Sequence, residues 1–235
     1  MANVARRRIW GWMAFDWAQQ PFYTLGLTFI FGPYFAAVAT EYFMAQGSLA
    51  TEAKAQSQEL WSLGQTIAGL IIAASAPFLG AWADASGRKI PWIIAFSAVF
   101  FVATWAMWGL TPDGSGLFMI LAVFYIGFIA AELLLNFVNA ILPSLGSDKE
   151  VGRISGSGAA FGYWGGFVSL VIMLLFFADD GGSTLLGGQP LFGLDSSASE
   201  GTRFVGPFIA VWYLVFMIPF FLWVRDEPKP SNAVK

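Results

Sequence analysis

Six long apolar stretches constrain this chain more than any other feature. They run roughly over residues 10–39, 60–83, 91–110, 117–142, 156–177 and 204–224. Each is near the ~20 residues that a helix needs to cross a bilayer. Hydrocarbon offers no partner to backbone N–H and C=O groups, so such runs must be helical. The first stretch is too long for one straight crossing. Pro21 and Pro33 predict kinks in it, and part of it is expected at the interface.

Composition agrees, because only 11% of the residues are charged, against about a quarter in an ordinary soluble domain. The expected fold is an all-α membrane protein, a six-transmembrane-helix bundle over residues 1–225. A polar tail over 226–235, with Pro228 and Pro230, is expected to be disordered. The chain has no Cys and no His. That excludes disulfides, thiolate or imidazole metal ligation, and Ser-His or Cys-His catalysis. No catalytic residue, metal, cofactor or nucleic-acid partner is expected, and the chain does not read as an enzyme. Arg6, Arg7 and Arg8 are not followed by a short apolar core and a cleavage site, so the first span is expected to stay in the membrane.

Charge sets the expected orientation. Arg6, Arg7, Arg8, Arg88, Lys89, Lys149, Arg153, Arg225, Lys229 and Lys235 fall on one side, and only Lys54 and Arg203 on the other. The positive-inside rule then places both termini in the cytoplasm, with loops 40–59, 111–116 and 178–203 outside. The expected location is the bacterial inner (plasma) membrane. Segment 178–203 is rich in Gly, Ser and Asp. It reads as a flexible loop with a short turn over 187–194, either a solvated connector or a binding lid.

Ionisable residues inside spans are costly and mark functional candidates. Glu132, Asn136 and Asn139 stand at i, i+4 and i+7, so they share one helical face. That face is either a substrate- or proton-handling surface or an interhelical hydrogen-bond cluster. Asp16 is either a proton site or a partner for a helix end or a basic loop residue. Gln19, Gln20 and Gln65 suit solute hydrogen bonding or helix contacts. The candidate substrate- or proton-binding set is Asp16, Gln20, Gln65, Glu132, Asn136 and Asn139.

A second set surrounds the short loop between the second and third spans. Gly80 is small enough for close helix contact, and Gly87 permits a tight reversal. Asp84 can accept hydrogen bonds from a helix start or a cation, while Arg88 and Lys89 anchor the turn at headgroups. Arg153 marks the entrance of the fifth span, where Asp84 or a phospholipid could meet it. Gly158, Gly162 and Gly166 recur every fourth residue as a small-residue seam, for static packing or for gating. The candidate gating set is Gly80, Asp84, Gly87, Arg88, Lys89 and Arg153.

The run from Gly80 to Lys89 resembles the signature loop between helices 2 and 3 of the major facilitator superfamily: Gly, three residues, Asp, two residues, Gly, two basic residues. Ala85 stands where that pattern is usually basic. Phe15-Asp16-Trp17-Ala18, Tyr34-Phe35 and the run from Arg153 to Gly166 resemble its vacuole-effluxer-like branch, also called the unknown major facilitator branch. Gln19-Gln20 departs from the Asn-Ser of that branch.

The resemblance implies the N-terminal six-helix half of a transporter whose solute site lies between two bundles. It implies a half-size secondary transporter subunit for a small polar, amino-acid-like solute, with proton coupling as an option. The partner is then a second six-helix chain or a second copy, within membrane lipids, unless the chain is a piece of a longer one. The alternative is a non-transporting scaffold or assembly subunit, which would not need Glu132 and its Asn neighbours.

Overall fold

The computed structural model describes residues 2–179 and 182–226, with the side chains of residues 2–4 and 84–86 outside the described set. Most of the expected tail, residues 227–235, also lies outside it. Among the described residues, six helical stretches are long and apolar enough to cross a membrane. They are Ala5–Ala45, Ala50–Ala83, Ile90–Gly109, Leu117–Ser144, Asp148–Phe176 and Glu200–Trp223. The six expected crossings are present, and the chain is an integral membrane protein.

The first span is α1 (Ala2–Pro21), a π-helical segment (Phe22–Phe29) and α2 (Phe31–Ala45). Pro21 explains the change. It has no N–H to donate to the carbonyl of Trp17, four residues back. The helix widens directly after it, with Ile30 N bonding Leu25 O at 3.0 Å, five residues apart. The freed Trp17 carbonyl instead accepts the Trp212 indole N–H from the sixth span, at 3.1 Å.

The loop expected over 40–59 is a correction. Helix α2 runs to Ala45 and α3 (Ala50–Ser86) begins at Ala50, leaving a short turn. Ala, Glu, Lys and Gln over 50–56 are good helix formers, and Glu52 accepts the Leu49 N–H at 3.4 Å. The third span is α4 (Ile90–Ala106) and the fourth α5 (Leu117–Asn139). The fifth is α6 (Asp148–Phe176), opened by a reciprocal Ser147–Glu150 cap. The sixth is broken into α7 (Glu200–Arg203), α8 (Val205–Phe216) and α9 (Ile218–Trp223).

Helix α1 packs on α6, α8 and α9, and touches α5; α3 lies against α2 and α5, and α4 against α5 and α8. Buried Phe22, Phe31 and Phe124 stack with ring centroids 5.2–5.3 Å apart, and Trp61 joins them at 5.0 Å from Phe124. These rings tie the first, second and fourth spans together. Arg203 is buried at the opposite end from the basic loops. Its guanidinium donates to the Trp108 carbonyl at 2.7 and 2.9 Å and lies over the Trp108 ring.

Segment 178–203, expected as a flexible loop, is pinned in its described part. Leu185 N donates to Leu174 O, and Phe192 packs on Phe177 and Phe204. Short turns cover Leu191–Gly193 and Ser196–Ala198. Asp195 caps the second, accepting from Ser197 N and Oγ at 2.8 Å. These bonds hold its carboxyl below the usual carboxylate range.

A polar groove along the first span

At 100° per residue, Asp16, Gln19, Gln20 and Tyr23 fall within an arc of about 100° on α1 and its continuation. The two edges of this polar stripe meet different helices. Along one edge the groups reach α5. Gln19 Nε2 donates to Ala131 O at 2.6 Å, and the Tyr23 hydroxyl donates to Glu132 Oε1 at 2.9 Å. One turn or so earlier, Trp12 Nε1 donates to Val138 O at 2.9 Å. Along the other edge the stripe meets the glycines of α6. A Cβ on Gly158 would lie 2.6 Å from Asp16 Oδ2, and one on Gly162 would lie 3.0 Å from Asp16 Cβ. A Cβ on Gly166 would overlap Thr24 and come within 2.9 Å of Gln20. The stripe therefore faces α5 along one edge and α6 along the other.

Glu132 is half-buried there, while Asn136 and Asn139, on the same face of α5, are exposed. Asn136 also walls a cavity of about 30 Å³ with Gly80, Ala83 and Lys89, room for a single water. The structure thus brings Asp16, Gln20, Glu132, Asn136 and Asn139 to one side of the bundle. Gln65 stands exposed on α3. Tyr23 and Trp12 escaped the sequence reading because both look like membrane aromatics. The i+7 spacing of Tyr23 from Asp16 was the available signal.

What these side chains offer chemically is hydrogen bonding, with two carboxyls among them. Ionised, Glu132 can only accept, as it does from Tyr23; protonated, it also becomes a donor. Asp16 is half-buried, and among the described residues its carboxylate has no hydrogen bond or ion pair. A charge so placed is costly in a membrane, so a proton or a cationic solute group is its natural complement.

The gating set divides. Gly87 has φ +68°, the left-handed turn expected of it. A Cβ on Gly80 would meet nothing within 4 Å, so among the described residues the close approach expected there is not made. The Asp84 side chain lies outside the described residues. Arg88 is exposed, and Lys89 is fixed through its backbone: Asp226 Oδ1 accepts Lys89 N at 2.7 Å and Ile90 N at 3.1 Å. Arg153 is exposed on α6, one turn past Glu150. The Asp226 cap on α4 was missed because it joins positions far apart in the chain, and an acid after a last span reads as tail.

The family model described as "Vacuole effluxer Atg22 like" matches residues 4–234. The "Uncharacterized MFS-type transporter YxiO" of Bacillus subtilis (strain 168) is 27% identical over 220 residues, which is 92% of this chain and 46% of that protein. Autophagy-related protein 22 of Yarrowia lipolytica (strain CLIB 122 / E 150) is 29% identical over 83 residues, 35% of this chain and 12% of that protein. The chain spans about half the length of the first of these relatives, and a smaller share of the second is matched. No solved structure matches. With the family match running over nearly all of its length and six spans in place, the chain belongs to the vacuole effluxer Atg22-like family of membrane proteins.

Proposed function

We propose that this chain forms one six-helix half of a secondary transporter for a small polar, amino-acid-like solute. It works against a second six-helix bundle, supplied by the same or another polypeptide. The solute passes along the groove between the halves, and protons exchange at Glu132 and Asp16. The basic loops face the cytoplasm. One observation carries this reading: the Tyr23–Glu132 pair opens onto exposed Asn136 and Asn139 on a single face. Lone polar groups are unfavourable against lipid, so that face calls for water, solute and a companion bundle. The long exposed apolar surfaces of α3, including Leu63, Ile67 and Leu70, and of α6, including Tyr163 and Phe167, suit the flanks of such a contact.

The test is uptake into proteoliposomes that hold both bundles, with a panel of amino acids and an imposed proton gradient. Glu132→Gln is expected to abolish gradient-driven uptake while the protein stays folded. Unchanged uptake would remove Glu132 from the mechanism. No uptake of any solute, with stable co-purification in a larger assembly, would favour a scaffold.

A further inference from the structure

An apolar crevice of about 460 Å³ lies between α4 and the broken sixth span. Ala98, Phe101 and Val102 wall it on one side, and Leu214, Ile218 and Leu222 on the other. The helices that form it, α4, α8 and α9, carry none of the residues of the polar groove. The Ser97 and Tyr213 hydroxyls also line it, but they bond each other at 2.7 Å, so the walls call for apolar cover. An apolar hollow of this kind stays dry, and in a membrane it takes hydrocarbon. The end of the crevice nearest the basic loops is different. Leu214, Ile218, Leu222 and Arg225 follow at i, i+4, i+8 and i+11, so the apolar stripe ends in a cation. Arg225 Nη1 donates to the carbonyl of Phe221, itself a lining residue, at 2.9 Å. That bond holds the guanidinium at the mouth and uses one of its five N–H donors. Among the described residues Arg225 has no carboxylate partner. The next residue, Asp226, is engaged by Lys89 N and Ile90 N at 2.7 and 3.1 Å. Arg88, exposed just before α4, adds a second cation at this end.

We propose that this crevice is a binding site for a phospholipid of net negative charge, with its phosphate on Arg225 and one acyl chain between α4 and α9. A guanidinium matches a phosphate in charge and in the geometry of its paired donors. The chain covers Phe101, Ile218 and Leu222, which are otherwise open on this face. Net charge is the discriminating feature. A zwitterionic lipid brings its own ammonium group beside Arg225 and Arg88, with Asp226 already engaged by α4. A lipid held in this way braces the same two helices that the Asp226 cap ties together. The site is separate from the polar groove and does not depend on transport.

The test is site-resolved quenching by brominated lipids. The chain has no native cysteine, so a bimane label can be placed through Ile94→Cys or Val99→Cys in the full chain. Ile94 is exposed on the crevice face of α4, one turn nearer the basic end than Ala98, and Val99 is exposed on α4 outside the crevice. Each labelled protein is held in nanodiscs of dioleoylphosphatidylcholine and dioleoylphosphatidylglycerol, with one lipid or the other brominated. At 94 the relative binding constant should favour phosphatidylglycerol about fivefold, and at 99 the two lipids should bind about equally. Arg225→Gln should bring the value at 94 down to that at 99. The comparison of 94 with 99 needs no change at Arg225, so it stands even where that substitution disturbs folding. Equal constants at 94 and 99, or an undiminished preference in folded Arg225→Gln, would overturn the proposal. So would a label at 94 that neither brominated lipid quenches, because the crevice would then be filled by protein.

Discussion

Tyr23 and Glu132 are the residues whose pairing matters most. Among the described residues the hydroxyl is the one donor placed on Glu132, in a part-buried contact, so each side chain gives the other its polar complement. Tyr23→Phe should cost about 1 kcal/mol of unfolding stability. In a double-mutant cycle with Glu132→Gln, measured by denaturant titration in micelles, the two changes should couple by about 0.5–1.5 kcal/mol. Strict additivity would mean that the bond contributes nothing. The glycines of α6 make a contrast at the same scale. Gly158→Ala places a methyl 2.6 Å from Asp16 Oδ2 and 2.7 Å from the Trp12 ring, and should cost about 1–3 kcal/mol. Gly156→Ala meets nothing within 4 Å and should be neutral or stabilising by up to about 1 kcal/mol. Equal effects in thermal unfolding would deny the seam its tight fit. The seam at Gly158, Gly162 and Gly166 was legible in spacing alone. Gly165 was not, although a Cβ there would lie 2.8 Å from Trp17 O, because the wider face of contact depends on how α1 lies across α6.

Among the elements, the first span departs furthest from a simple rod. That the regular α-helix would be disturbed at Pro21 could be foreseen from the ring alone. What could not be foreseen is that the released carbonyl of Trp17 finds the Trp212 indole, 195 residues away. In a membrane that carbonyl has no water to fall back on. Trp212→Phe should therefore destabilise the bundle by about 1–2 kcal/mol. The loss should shrink in a Pro21→Ala background, where residue 21 regains an N–H for Trp17 O. Equal losses in both backgrounds, by the same unfolding assay, would show that the bond is not what Trp212 supplies. Element ends were the least legible part of the chain. The helix over 50–58 looks like a charged loop when read for hydropathy, yet its residues favour helix and extend α3 past the apolar run. The cap from Asp226 to α4 is likewise a product of packing.

At the scale of the molecule, six crossings and a polar face on the fourth were readable from run lengths and the 3.6-residue period. Which neighbours that face meets was not, since periodicity orients a helix only relative to itself. The structure supplies the rest: α1 turns one stripe toward both α5 and α6, and the groove continues to exposed Asn136 and Asn139. The central claim is that this groove is wet while equally exposed apolar faces lie in lipid. The absence of native cysteine allows the most direct measurement, the reaction of single cysteines with a water-soluble, membrane-impermeant maleimide. Asn136→Cys and Glu132→Cys are compared with Ile94→Cys and Ala98→Cys, exposed positions at similar distances from the basic end on α4. The account predicts fast labelling at 136, measurable labelling at 132, and none at 94 or 98; labelling at 136 and 132 as slow as at 94 and 98 would contradict it.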